Sequence, residues 1–181
     1  MTATTFEQFL AQNTSRVVTR DRTTVEIFEP GVTHLTPRID AAEAPLGVPL
    51  PASYQTFLEV CGPGRWCGVV VAAREDLYAF DENCGEMEGL VPLVHNVRGV
   101  GNFLAMNPLE QTGPGEWAMY YCSHDPLGCA RMTDSFESWV REAVTAFEAA
   151  VDLYEKAAAE ASEAWDRGMR ARLGRWWAFW R

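Results

Sequence analysis

Residues 46–64 read LGVPLPASYQTFLEVCGPG, and this stretch is a complete local folding instruction. Leu46-Gly47 ends one helix and Leu50-Pro51 starts the next. Pro51 is expected at the first helical position, where the missing amide hydrogen costs nothing. Tyr54, Phe57, Leu58 and Cys61 follow at three- and four-residue spacing and form one apolar face. Gly62-Pro63-Gly64 then stops the helix, because proline cannot continue it and glycine accepts left-handed geometry.

Upstream, Thr5 caps a short helix carrying Phe6, Phe9 and Leu10, with Gln8 at the capping-box position. Arg16–Thr19 and Thr24–Phe28 are β-favouring pieces around Arg20-Asp21-Arg22 and suggest a hairpin. Thr36-Pro37 opens a further helix through about Pro45. Downstream of Gly64 the character turns to β: Gly68–Ala73, Leu77–Phe80, Leu90–Val97, Asn102–Met106, Trp117–Cys122 and Cys129–Met132 are short runs separated by Gly, Pro, Asn and Asp. Connections this short leave no room for crossover helices, so the sheet should be mainly antiparallel, twisted, and of about five to six strands. From Ser135 a long helix follows, capped by Asp134, with Phe136, Trp139, Val140, Val144 and Phe147 on one face; Gly168 or Gly174 is expected to interrupt or end it. The layout is α+β, with N-terminal helices and a long C-terminal helix packed on the sheet. Residues 1–150 form the body, and residues 151–181 form a helical extension ending in an Arg/Trp-rich tail.

The chain is 48% hydrophobic and 22% charged, ordinary values for a globular protein. It has no apolar run long enough to span a bilayer, and its first residues lack the pattern of a signal peptide, so a cytoplasmic location is expected. Five cysteines without a repeated spacing argue against a secreted disulfide framework, and Cys61 and Cys122 read as core residues. Net charge is −10, unevenly spread: residues 166–181 hold five Arg and one Asp, leaving the remainder at −14. Such a body repels phosphate backbones and excludes direct nucleic-acid binding, while attracting a basic protein surface.

No catalytic constellation emerges. His34, His95 and His124 fall in separate segments without metal-ligand spacing, so neither metal nor cofactor is expected. Ser123-His124-Asp125 contains the triad residue types, but adjacent in sequence, where a polar turn explains them better. Arg98-Gly99-Val100-Gly101-Asn102 lacks both the third glycine and the following helix of a phosphate loop. The densest functional signal is acidic: Glu75, Asp76, Asp81, Glu82, Glu86 and Glu88 fall within fourteen positions. The bland reading is a solvated loop; the functional one is a docking surface for a cationic partner. In the tail, Trp176, Trp177 and Trp180 are expected to fold back onto the body. Self-association or another protein interface is the alternative, and a membrane contact is the least favoured.

Four motifs in order carry a resemblance that covers roughly residues 36–147: the 46–64 segment, the glycine-rich turn 97–103, the strand and polar loop 117–125, and Asp134–Val140 opening the last helix. Together they resemble the SUKH superfamily, α+β domains many of which are bacterial immunity proteins against polymorphic toxins. The resemblance implies that Leu46, Gly47, Leu50, Pro51, Tyr54, Phe57, Gly62, Gly101, Phe103, Ser135 and Phe136 carry the fold. It also implies a non-enzymatic protein that occludes the active cleft of a cognate toxin, a basic nuclease being one such target. On that view Asp76, Asp81, Glu82, Glu86 and Glu88 are the candidate contacts. The alternative within the superfamily is a regulatory or scaffolding interaction module. A small enzyme or ligand binder using a pocket beside His95 or His124 is the rival from outside it.

Overall fold

The computed structural model describes residues 4–31, 48–97 and 101–178. Helix α1 (Phe6–Thr14) begins at the expected capping box: Thr5 and Gln8 satisfy each other's backbone amides. Strands β1 (Val17–Thr19) and β2 (Thr24–Glu26) form the expected hairpin as a separate two-stranded antiparallel sheet. Strand β3 (Phe28–Pro30) follows directly. Helix α2 spans Ala52–Val60, so Pro51 is its N-cap and not its first helical residue. Pro51 has no side-chain cap to offer, and α2 borrows one: the Glu116 carboxylate accepts hydrogen bonds from the Ser53 amide and hydroxyl, both at 2.8 Å.

Strands β4 (Gly64–Trp66), β5 (Val69–Val71), β6 (Val91–His95), β7 (Phe103–Gly113), β8 (Glu116–His124) and β9 (Leu127–Thr133) complete the main sheet. Its order is β3-β4-β5-β6-β7-β8-β9, with every neighbouring pair antiparallel, so the sheet has seven strands against the five or six expected. The additional strands, β3 and β4, are three residues each and were hidden by their own punctuation. Gly64 stops the helix but also pairs with Pro30, and a β-carbon there would lie 2.5 Å from the Glu29 carbonyl oxygen. The expected strand at Leu77–Phe80 does not form. Strand β5 pairs β6 directly, so no ladder position is open to it, and residues 74–76 make a 3-10 turn instead.

Helix α3 runs unbroken from Phe136 to Ala178, through Gly168 and Gly174, contrary to the expected interruption. Each glycine costs about 1 kcal/mol relative to alanine, an amount that a stretch rich in Ala, Glu and Arg can offset. Its cap is Ser135 and not Asp134: the Ser135 hydroxyl accepts the Ser138 amide at 3.0 Å, while Asp134 pairs with Arg131 at 2.8 Å.

All three helices contribute to the core on one face of the sheet. Leu10, Tyr54, Phe57, Trp66, Leu104, Met106, Met119, Phe136 and Val140 are fully buried there. Its centre is aromatic: Phe57 meets Trp66 and Phe136 edge-on at 5.4 and 5.6 Å, and Tyr54 meets Phe136 at 5.3 Å. Fully burying side chains of this kind contributes about 1.5–3 kcal/mol each. The polar tips are satisfied: the Tyr54 hydroxyl donates to the Ala72 carbonyl at 2.7 Å, and the Trp66 indole donates to the Val140 carbonyl.

Candidate functional site

The period-two alternation of a strand gives the sheet a second face. Leu104 and Met106 of β7 point to the helices, so Phe103 and Ala105 point away, as do their partners Cys122 and Tyr120 on β8. These side chains form a separate apolar cluster with Leu90, Phe80 and Met87. Phe80 and Met87 belong to the acidic segment, which therefore covers the sheet face opposite the helices.

The segment is anchored. The Phe80 amide donates to the Leu90 carbonyl at 3.0 Å, and the Gly89 amide donates back to the Phe80 carbonyl at 2.9 Å, closing residues 81–88 into a loop with a hydrogen-bonded neck. The Phe80 ring packs on Phe103 at 5.2 Å and on Tyr78 at 5.3 Å. Inside the loop, the Cys84 amide donates to the Asp81 carbonyl, the Glu88 amide to Gly85 and the Leu90 amide to Met87. Gly85 has a positive φ of 56° and supplies the turn between two short 3-10 pieces. With Met87 half-buried beneath it, the loop exposes Asp81, Glu82, Glu86 and Glu88, and the neighbouring turn exposes Glu75 and Asp76. The structure thus places Asp81, Glu82, Glu86 and Glu88 on one anchored loop, whereas Glu75 and Asp76 stand in the turn before Leu77, which packs into the main core, and their charges act on the buried Tyr54. Among the described residues, Glu75, Asp76, Glu82, Glu86 and Glu88 form no ion pair.

Of the residues assigned to the fold, Leu50, Tyr54, Phe57 and Phe136 are buried in the main core, and Phe103 is in the second cluster. Gly62 ends α2 at φ 77°, and Gly101 sits at φ 86° before β7. Leu46 and Gly47 lie outside the described residues, as do the helix expected over 36–45, His34 and Trp180. Gly101 is needed twice over: beyond its φ, a β-carbon there would approach the His124 ring nitrogen to 3.0 Å. The His124 ring is held by Asn102, whose Oδ1 accepts from Nδ1 at 2.9 Å and whose amide group donates to Tyr121 at 2.9 Å. The Ser123 hydroxyl donates to the Asp125 carbonyl and accepts from the Asp125 amide, so the turn is held by the serine and not by the aspartate side chain. His124 is therefore committed to the β8–β9 corner and is not aligned with a serine.

The cysteines are not poised as nucleophiles either. Cys122 and Cys129 face each other across β8 and β9 and form a disulfide, a single cross-strand link that the spacing of the five cysteines did not reveal. Burial pushes the Cys61 and Cys67 thiols up to about 12, and Cys84 is also raised, by desolvation and by its hydrogen bond to Asp81. A thiol so shifted stays protonated and weakly nucleophilic. Among the described residues no three His, Cys, Asp or Glu side chains converge as a metal site.

One groove, of about 490 Å³, opens between the β1–β2 hairpin, the sheet and α3, lined in part by Glu26, Glu29, Arg65, Asn96 and Phe147. Glu29 is neutralised by Arg65 at 2.9 Å, and no histidine lines the groove. No helix among the described residues is long and apolar enough to cross a membrane.

A family model described as the SMI1 / KNR4 family (SUKH-1) matches residues 37–142. No curated protein and no solved structure matches the chain.

Proposed function

Because the chain belongs to the SMI1/KNR4 family (SUKH-1), a family of immunity and regulatory domains, we propose that it is an immunity protein that binds a cognate bacterial toxin and occludes its active cleft. The observation that carries this reading is the anchored acidic loop. Asp81, Glu82, Glu86 and Glu88 belong to a loop closed by the Phe80 neck and fixed by the Phe80–Phe103 contact to the sheet face opposite the helices. Exposed like charges this dense repel one another in water, and a cationic partner relieves that repulsion. Fixed carboxylates also bind without first losing loop entropy. A toxin cleft built to hold phosphates offers the complementary charge and would be plugged by the loop; inhibition is stoichiometric and no covalent bond changes.

The test is co-expression with a candidate cognate toxin. Growth should be rescued, and the two proteins should be recovered as one complex. The triple reversal Asp81→Lys/Glu82→Lys/Glu86→Lys should abolish rescue while leaving the melting temperature unchanged, whereas His95→Ala should protect as well as the parent. Rescue that survives the reversal but is lost with His95→Ala at unchanged folding would replace this reading with a ligand- or substrate-binding one.

A further inference from the structure

The acidic loop rests on a bridge between two sulfurs. In register, Cys129 of β9 faces Cys122 of β8, and Cys122 faces Phe103 of β7. That row lies on the second face of the sheet, and Phe103 carries the Phe80 ring that pins the loop. Fully buried Cys122 and half-buried Cys129 belong to the same apolar cluster as Phe80 and Met87. The loop also touches β9 directly. Strand β9 is an edge of the sheet, paired with β8 alone, so the Cys122–Cys129 disulfide ties that edge covalently to its neighbour.

Two features separate this bridge from a purely structural one. It joins residues 7 apart, and closing so short a loop constrains the unfolded chain less than a long-range bridge would. It also coexists with three free thiols, Cys61, Cys67 and Cys84, unlike the disulfide-dense framework of a small secreted domain. The consequence of breaking it is local. Bonded sulfurs sit about 2 Å apart, whereas unbonded atoms need about 3.5 Å or more. With the two Cα atoms 4.2 Å apart, the thiols part by turning further into the cluster beneath Phe80 and Met87, or by moving β9 away from β8. Either movement takes support from the loop.

We propose that Cys122 and Cys129 form a redox switch that sets the anchoring of the acidic loop: bridged, the loop is held; reduced, it is released. An external dithiol supplies the chemistry. Its thiolate attacks the sulfur of Cys129, the less buried of the two residues; the S–S bond breaks, and Cys122 leaves and takes up a proton. The second thiol of the dithiol then displaces Cys129, which is protonated in turn. The dithiol departs as its own disulfide, having given up two electrons. An oxidised dithiol runs the same steps backwards. That the switch governs toxin docking rests on the immunity reading; that it governs the loop does not.

Peptide mapping and hydrogen exchange on the full chain, without toxin, test this. After equilibration with oxidised glutathione, Cys122 should be recovered joined to Cys129, with Cys61, Cys67 and Cys84 joined to neither. Dithiothreitol added to the folded protein should release both for alkylation. Reduction should speed exchange at the Gly89 and Phe80 amides at least about tenfold, with Phe57 in α2 unchanged. Cys122→Ala/Cys129→Ala should exchange like the reduced parent and should no longer respond to dithiothreitol. A bridge that does not form, or that dithiothreitol opens only in denaturant, would overturn the proposal. So would equal Gly89 exchange in the two states, an equal rise at Phe57, or a double variant that still responds to dithiothreitol. None of these readouts involves a toxin, so their failure leaves the docking reading intact, and a loop that docks no toxin leaves the switch intact.

Discussion

Replacing Phe80 with alanine removes the ring that pins the acidic loop to the sheet while leaving every carboxylate in place. A fully buried Phe→Ala change costs about 3–5 kcal/mol. Phe80 is half-buried, with its principal ring contact to Phe103 at 5.2 Å. Half of that cost, about 2 kcal/mol, is the expected loss, including the aromatic pair itself. The loss should fall on the loop and not on the core, because Phe80 and Met87 cover the second face only, whereas the helices pack on the first. Local opening of the neck should then become about 30-fold more frequent, since 1.4 kcal/mol is a factor of ten. Hydrogen exchange at the Gly89 and Phe80 amides, which bond the Phe80 and Leu90 carbonyls respectively, reads this directly. Exchange at Met119 in the middle of β8 should be unchanged. Toxin affinity should fall as well, because ordering the loop would now oppose binding. Unchanged exchange at Gly89 would refute the anchoring argument. A uniform rise at every amide would refute the separation of loop from core.

Reversing Asp81, Glu82 and Glu86 together should slow toxin association by at least about tenfold at low salt, a difference that stopped-flow measurements should see vanish near 1 M salt. Glu116→Ala leaves the first turn of α2 and the buried Ser53 without their acceptor, and should lower unfolding free energy by about 1.5–3 kcal/mol, measured by urea denaturation. Gly101→Ala combines a left-handed backbone with a close approach to His124 and should cost about 1–2 kcal/mol by the same assay. Cys61 and Cys67 are neutral when protonated, so their raised values make the folded state retain protons that the unfolded chain releases. Their contribution is intact below the ordinary value of 9.0 and is lost as pH rises toward about 12, and thermal melts across alkaline pH should show that decline.

Helix α1, the first hairpin, α2 and the start of α3 were legible in the sequence because each carries its own local signal: a capping box, an alternating pair, or an apolar stripe with a stop. What stayed hidden depends on partners far along the chain. Strands β3 and β4 are too short to show a period, and Pro30 and Gly64 read as breakers until the sheet places them opposite each other. Leu77–Phe80 has the composition of a strand, but Leu77 is spent on the main core and Phe80 on the second cluster. Glu116 looks like any acid in a hairpin turn, and only the tertiary fold carries it to the end of α2. The acids at 75–88 were visible as a cluster. The anchoring of the 81–88 loop was not, because it comes from Phe80 meeting Phe103 on the second face of the sheet.

The central claim is that this chain acts by stoichiometric occupation of a partner's cleft, and titration against the cognate toxin that the proposal calls for, with toxin activity followed at each addition, tests that most directly. Activity should fall in proportion to added protein and reach zero at one molar equivalent, recovering when the complex is dissociated. Inactivation by a small fraction of an equivalent would mean that the chain turns over, and would contradict the account.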